Sequence, residues 1–303
     1  MSFAGSEPMP RLTPWAATGL LLVTAAVWGL AFVAQRAGMA YIGPFTYNAA
    51  RFALGAAVLE AIRRWRGGRA SPTTLGRAGW ALGLLVFAGA SLQQAGLVFT
   101  TAGKAGFITG LYVVLVPLIA TLRGQRQTRA VWLGAGLAAG GMYLLSATRD
   151  WRLELGDGLV LLSAVFWALH VLAVDHWGAR HDPLTLAARQ FWVVAGLSAL
   201  VALAAEPLSG ADLVRAGPAI LYGGLVSVGV GYTLQVVAQP HAAPGPAAIV
   251  LSLEAVFALI GGTVLLHERL SGRGLAGAGL MLLGMLVAQQ AGPPKPTADR
   301  GAA

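Results

Sequence analysis

The stretch from Pro244 to Leu266 constrains the fold most strongly, because it is 23 apolar or small residues interrupted by a single charge, Glu254. At a rise of ~1.5 Å per residue the run spans ~30 Å, the thickness of a bilayer's hydrocarbon core. Glu254 is its eleventh residue and falls near the midplane. A carboxylate there costs ~2.5–3.5 kcal/mol on insertion scales, while the eleven Ile, Val, Leu and Phe residues of the run return roughly 3–6, so the helix still inserts. Ala247, Leu251, Ala258 and Gly261 share the helical face of Glu254. That mostly small face favours close helix approach or a cavity wall, and Glu254 is expected to face protein or water rather than lipid.

Composition points the same way. Hydrophobic residues make up 56% of the 303, charged residues 11%, and the mean hydropathy is +0.68, too apolar for a soluble domain of this length. The net charge of +9 is spread between apolar runs instead of gathered on one face, which argues for loop anchors and against nucleic acid as a partner. With no cysteine there is no disulfide, thiolate nucleophile or thiolate metal site. The five histidines lack an HxxxH or HExxH spacing, no GxxxxGK[ST] phosphate loop occurs, and Ser91, Ser163, Ser227 and Ser252 stand outside any GxSxG setting. No cofactor and no enzymatic activity are expected.

Ten apolar runs of about twenty residues follow one another: Trp15 to Gln35, Gly43 to Ile62, Ala78 to Phe99, Ala105 to Leu122, Ala130 to Ala147, Gly158 to Trp177, Leu184 to Ala205, Ala216 to Ala238, Pro244 to Leu266, and Gly274 to Gln290. The first is too long for a signal-peptide core and is read as a retained helix. In the fourth, Gly106 and Gly110 predict close packing and Pro117 a kink. The polar connection Arg149 to Asp157 marks a midpoint, and the Pro- and Gly-rich tail 292–303 is expected to be disordered.

The two halves resemble each other. Trp28, Pro44, Thr46, Ala49 and Phe52 recur as Trp167, Pro183, Thr185, Ala188 and Phe191, a shift of 139; Gly134 and Gly141-Met142 recur as Gly277 and Gly284-Met285, a shift of 143. With five spans each, residues 1–150 and 151–291 would form inverted-topology repeats suited to alternating access. Of the 21 Lys and Arg residues, 12 fall on the side of the N-terminus and 7 on the other, which predicts both termini in the cytoplasm. The fold class expected is therefore an all-α integral membrane protein of ten transmembrane helices in two inverted five-helix repeats.

Trp28-Gly29 in the first span, Thr101-Ala102-Gly103-Lys104-Ala105-Gly106-Phe107 before Pro117, and Leu253-Glu254 followed by His267-Glu268-Arg269-Leu270 resemble the EamA family of the drug/metabolite transporter superfamily. Within it the chain looks most like the YddG-type aromatic amino acid exporters. The resemblance implies a bacterial inner-membrane exporter of amino acids, aromatic or other apolar ones preferred, with drugs, nucleotide sugars or other metabolites as alternative cargo; a monomeric carrier embedded in the lipid bilayer is expected. The chain departs from the family at Ala255, where proline is frequent, so the kink near Glu254 is expected at Pro244 and Pro246 instead.

Inverted repeats place substrate near the midplane, so mid-span polar and aromatic residues are the candidates. Trp28 and Trp167 are repeat-equivalent and can sandwich a planar group. Gln93, Gln94, Tyr112, Tyr232 and Gln235 offer hydrogen bonds, Glu254 can hold an ammonium or exchange a proton, and His170 can shuttle protons. Each has a structural alternative as helix-packing glue. Arg51 and Arg189, about seven residues into their spans, are read as snorkelling anchors, and Lys104 as a loop or gate residue.

Overall fold

A computed structural model describes residues 12–65, 74–100, 102–146, 155–207, 209–265 and 272–290. The N-terminal segment, the 292–303 tail, most of the Arg63–Arg77 loop, most of the midpoint connection, the His267–Leu270 motif and the Lys104 side chain lie outside the described residues.

Among the described residues there are helices and turns and no strand. The long helices are α1 (Pro14–Met39), α2 (Pro44–Trp65), α3 (Thr74–Phe99), α4 (Ala102–Gly110) continued by α5 (Tyr112–Leu122), α6 (Arg129–Ser146), α7 (Leu155–Trp177) and α8 (Pro183–Ala205). After the short α9 (Gly210–Arg215), α10 (Gly217–Leu221) runs into a π-helix (Tyr222–Tyr232) and α11 (Thr233–Ala238). α12 (Pro244–Leu251), α13 (Glu254–Leu265) and α14 (Gly272–Gln289) complete the chain.

Seven of these helical stretches are long and apolar enough to cross a membrane, and Ile108–Leu122 is a shorter apolar helix. α2 has the length of a span but carries Arg51, Glu60, Arg63 and Arg64. Large apolar side chains such as Leu133, Leu200, Leu203, Val264 and Leu283 point outward, which suits a lipid surround, where helices satisfy their own backbone groups.

α2 lies along α8 and α6 along α14. α3 packs on α7 and α8, as the 217–238 helix packs on α1 and α2; α13 packs on α1, as α4 and α5 pack on α7. These principal contacts map onto one another when α1 to α6 are exchanged for α7 to α14. The α6–α14 seam shows why glycine is used: a Cβ at Gly134 would lie 2.7 Å from the Gly284 carbonyl oxygen, and one at Gly141 only 2.5 Å from that of Gly277. The backbones touch, as small-residue interfaces in membranes allow.

Both broken helices depart from the sequence reading. Pro117 sits inside α5, and the interruption falls at Leu111, where the Leu111 and Val114 amides make three-residue turns to Ile108 and Leu111. Gly110 there packs on Met142, its absent Cβ leaving room for the sulfur, whereas a Cβ at Gly106 would meet nothing within 4 Å. Pro244 and Pro246 open α12, and the break lies at Ser252-Leu253, next to the carboxylate, although Ala255 replaces proline. Ser252 Oγ donates to the Ile249 carbonyl at 2.8 Å, and the Leu253, Ala255 and Val256 amides form three-residue turns.

α2 and α8 start alike, each with Pro at its first position and Thr at its third, but their carboxylate caps differ in origin. Asp182, the N-cap of α8, accepts the Thr185 N–H and hydroxyl at 2.8 and 2.5 Å. The matching residue before α2 is Gly43, and Glu206 from the end of α8 takes over, accepting the Phe45 N–H at 2.8 Å and the Thr46 N–H and hydroxyl at 2.7 Å each. A Cβ at position 43 would lie 2.2 Å from the Glu206 carboxyl carbon, so glycine is required there. Glu206→Ala is expected to lower stability by about 1–2 kcal/mol, the scale of a lost charged N-cap, read as an earlier unfolding transition in mixed micelles; an unchanged transition would show that the cap adds nothing.

Candidate functional site

The breaks and the π-helix position the site. Four glycines, Gly223, Gly224, Gly229 and Gly231, lie within the eleven residues of the π-helix, whose widened turn is of the kind that recurs at functional sites. Its carbonyls take side-chain donors from α1: Trp28 Nε1 donates to Ser227 O at 3.2 Å and Thr24 Oγ1 to Gly231 O at 3.3 Å. The Tyr222 hydroxyl returns a bond to Val27 O at 2.9 Å. Tyr232 is the last residue of the π-helix, Tyr112 the first of α5 and Glu254 the first of α13.

Tyr232, Tyr112 and Glu254 line one narrow cavity between α1, α2, α3, α4, α5, α7, the π-helix and α11 to α13. Both halves of the chain contribute. The space is thin, with room for a few waters among the ring faces as the side chains stand. Tyr232 is its hub: its ring centroid lies 4.6 Å from Trp28, 5.3 Å from Phe191, 6.1 Å from Phe52 and from His170, and 6.2 Å from Trp167. The two tryptophans therefore both contact Tyr232, and a planar substrate between them would have to displace that ring.

Of the sequence candidates, Trp28, Tyr112, Trp167, His170, Tyr232, Gln235 and Glu254 line the cavity. Gln94 does not: it is wholly buried in α3 with neither end of its amide bonded. Its neighbour Gln93 lines the cavity and donates Nε2–H to Thr109 Oγ1 at 2.9 Å. Helical phase within an apolar run distinguishes adjacent glutamines poorly, since both sides of α3 are apolar.

Glu254 is 5% exposed, and its Oε1 has no hydrogen-bond partner. The Tyr112 hydroxyl is close to it but outside hydrogen-bond geometry. Gln235 donates to Gln239 Oε1 at 2.8 Å, and Gln239 in turn donates to the Val171 carbonyl; Gln235 Oε1 is left unbonded. His170 is held by Gln190 Oε1 at 3.0 Å and packs edge-on to Trp167 and Tyr232. That is a fixed ring within the cavity wall. Unpaired buried polar atoms around one cavity are groups awaiting partners.

The sequence reading misplaced one charged residue. Arg189 is exposed, in keeping with an anchor, but Arg51 is 3% exposed and lines the cavity. Equal depth in two matched spans gave both the same reading, and only the packing of α2 against the π-helix separates them. Among the described residues no group of three His, Cys, Asp or Glu side chains is placed to hold a metal ion.

Comparison with known proteins agrees with this architecture. The model of the EamA-like transporter family matches residues 15–147 and again residues 154–289. An uncharacterized transporter of Archaeoglobus fulgidus is 31% identical over 286 residues, covering 93% of this chain and 88% of the relative; a second from the same organism is 26% identical over 275 residues, covering 88% and 96%. A protein of known crystal structure has the same fold, with a TM-score of 0.75 at 21% identity, covering 91% of this chain and 97% of that one. With the family's model matched twice along nearly its whole length, the chain belongs to the EamA-like transporter family and is a multi-pass membrane protein.

Proposed function

We propose that the chain is a secondary transporter that exports amino acids, aromatic and other apolar ones preferred, across the bacterial inner membrane with both termini in the cytoplasm. In this reading residues 1–150 and 151–291 are two inverted five-span halves, and alternating access is their rocking about the shared cavity. The observation that carries the cargo is the cavity's composition: Trp28, Trp167 and Tyr232 offer ring faces, and Glu254 offers a buried carboxylate with a free oxygen for an ammonium group. The mirrored packing, the matching breaks at Leu111 and Ser252-Leu253, and the twofold family match support the two-half architecture.

Counterflow in proteoliposomes tests this. Labelled phenylalanine and tryptophan are expected to exchange saturably in vesicles holding the protein and not in empty ones, with threonine and lysine weaker. Folded protein that moves none of the four would overturn the amino acid reading in favour of drugs, nucleotide sugars or other metabolites.

A further inference from the structure

We propose that Arg51 is the anion-holding residue of the cavity, and that a substrate carboxylate binds end-on to the two terminal nitrogens of its guanidinium; this rests on the amino acid reading above and adds to it where the acid group sits.

The side chain is built into place. Asn48, one turn earlier in α2, accepts Arg51 Nε–H on Oδ1 at 3.0 Å. The Cζ atom lies 5.2 Å from the Tyr47 ring centroid and 4.8 Å from that of Phe52. Tyr47 is itself fixed, its hydroxyl donating to Ala219 O at 3.2 Å. In the π-helix, a Cβ at Gly223 would lie 3.3 Å from both Arg51 Cβ and Cδ, so this glycine makes room for the arginine stem. Every contact orients the guanidinium, and none neutralises it.

Among the described residues no carboxylate forms an ion pair with Arg51; Glu254 shares the cavity without bridging to it, and Tyr232 stands in the field of both. A guanidinium withdrawn from water without an anion carries a desolvation cost that two ring contacts offset only in part. With Nε committed to Asn48, the free edge is the terminal pair, whose spacing matches two carboxylate oxygens. An α-amino acid seated there would turn its side chain toward the rings around Tyr232.

Equilibrium binding of L-phenylalanine and L-phenylalaninamide to the full chain in nanodiscs, wild type and Arg51→Gln, tests the assignment. The wild type is expected to bind the amide roughly 30-fold more weakly, the low end for breaking a buried charged contact. Arg51→Gln is expected to lose about that factor for phenylalanine and to bind both ligands alike, and Arg51→Lys, which keeps the charge but not the fork, to fall between. A wild type that binds both ligands equally, or an Arg51→Gln protein that keeps the preference, would overturn the role of Arg51 and leave the amino acid reading intact. If neither ligand binds folded wild type, both fail. Should Arg51→Gln not fold, the wild-type preference for the acid over the amide decides by itself: a preference supports carboxylate binding, and equal affinity overturns it.

Discussion

Replacing Glu254 with glutamine is expected to cut amino acid exchange by roughly two orders of magnitude, ~2–3 kcal/mol, while leaving the fold in place. The carboxylate is 5% exposed, begins α13 directly after the Ser252-Leu253 break, and keeps one oxygen without a partner. For stability alone such a group is a poor choice, because a buried charge without its full set of partners is costly. Glutamine has nearly the same shape and no charge, so the unfolding transition should stay within about 1 kcal/mol of wild type or rise. Initial counterflow rates and thermal unfolding, measured on the same preparation, separate the two effects. Full transport with a lower unfolding transition would make Glu254 a structural residue.

The second large effect is expected at Gly29→Ala. A Cβ there would lie 2.4 Å from the Glu254 carbonyl oxygen, 2.6 Å from Phe257 Cβ and 2.8 Å from the Ala258 nitrogen. Two of these atoms are backbone and cannot swing aside, so α1 must move off α13. Overpacking of this kind costs about 1–3 kcal/mol, and more where backbone is the obstacle. Trp28 would move with the helix, so exchange should fall as well. Gly136→Ala is the control, since a Cβ there meets nothing within 4 Å; it should be neutral or stabilise by about 0.4–1 kcal/mol. Unfolding midpoints for the two variants are expected to move apart; equal midpoints would contradict the close α1–α13 approach.

How much of this was legible in the sequence depends on which physical signal carried it. The long helices follow from hydropathy: the run read as Leu184 to Ala205 is α8, Pro183–Ala205, and the run read as Gly43 to Ile62 is α2, Pro44–Trp65. Repeat matching found residues that meet in space, since the Phe52 and Phe191 rings meet at 5.7 Å in a tilted pair and Trp28 and Trp167 both reach Tyr232. What escaped was local backbone irregularity. Four glycines in eleven residues are compatible with a π-helix but also with small-residue packing, and the break before Glu254 falls at Ser252-Leu253 with no proline there to mark it. Arg51 escaped for another reason: depth along a span was known from spacing, but the side of the helix that faces the cavity depends on tertiary packing, which placed Gly223 and the Tyr47 and Phe52 rings around it.

The central claim is that substrate occupies the cavity around Tyr232, and photolabelling tests it most directly. A tritiated, diazirine-bearing phenylalanine, activated in proteoliposomes and mapped by mass spectrometry, should label α1 near Trp28, the π-helix near Tyr232 and the start of α13, and unlabelled phenylalanine should suppress those adducts. Two wider grooves lie outside the cavity on the outer face of α2, α3 and α8 around Trp192. Suppressible labelling confined to Trp80 and Trp192, with the cavity residues unmarked, would contradict the account.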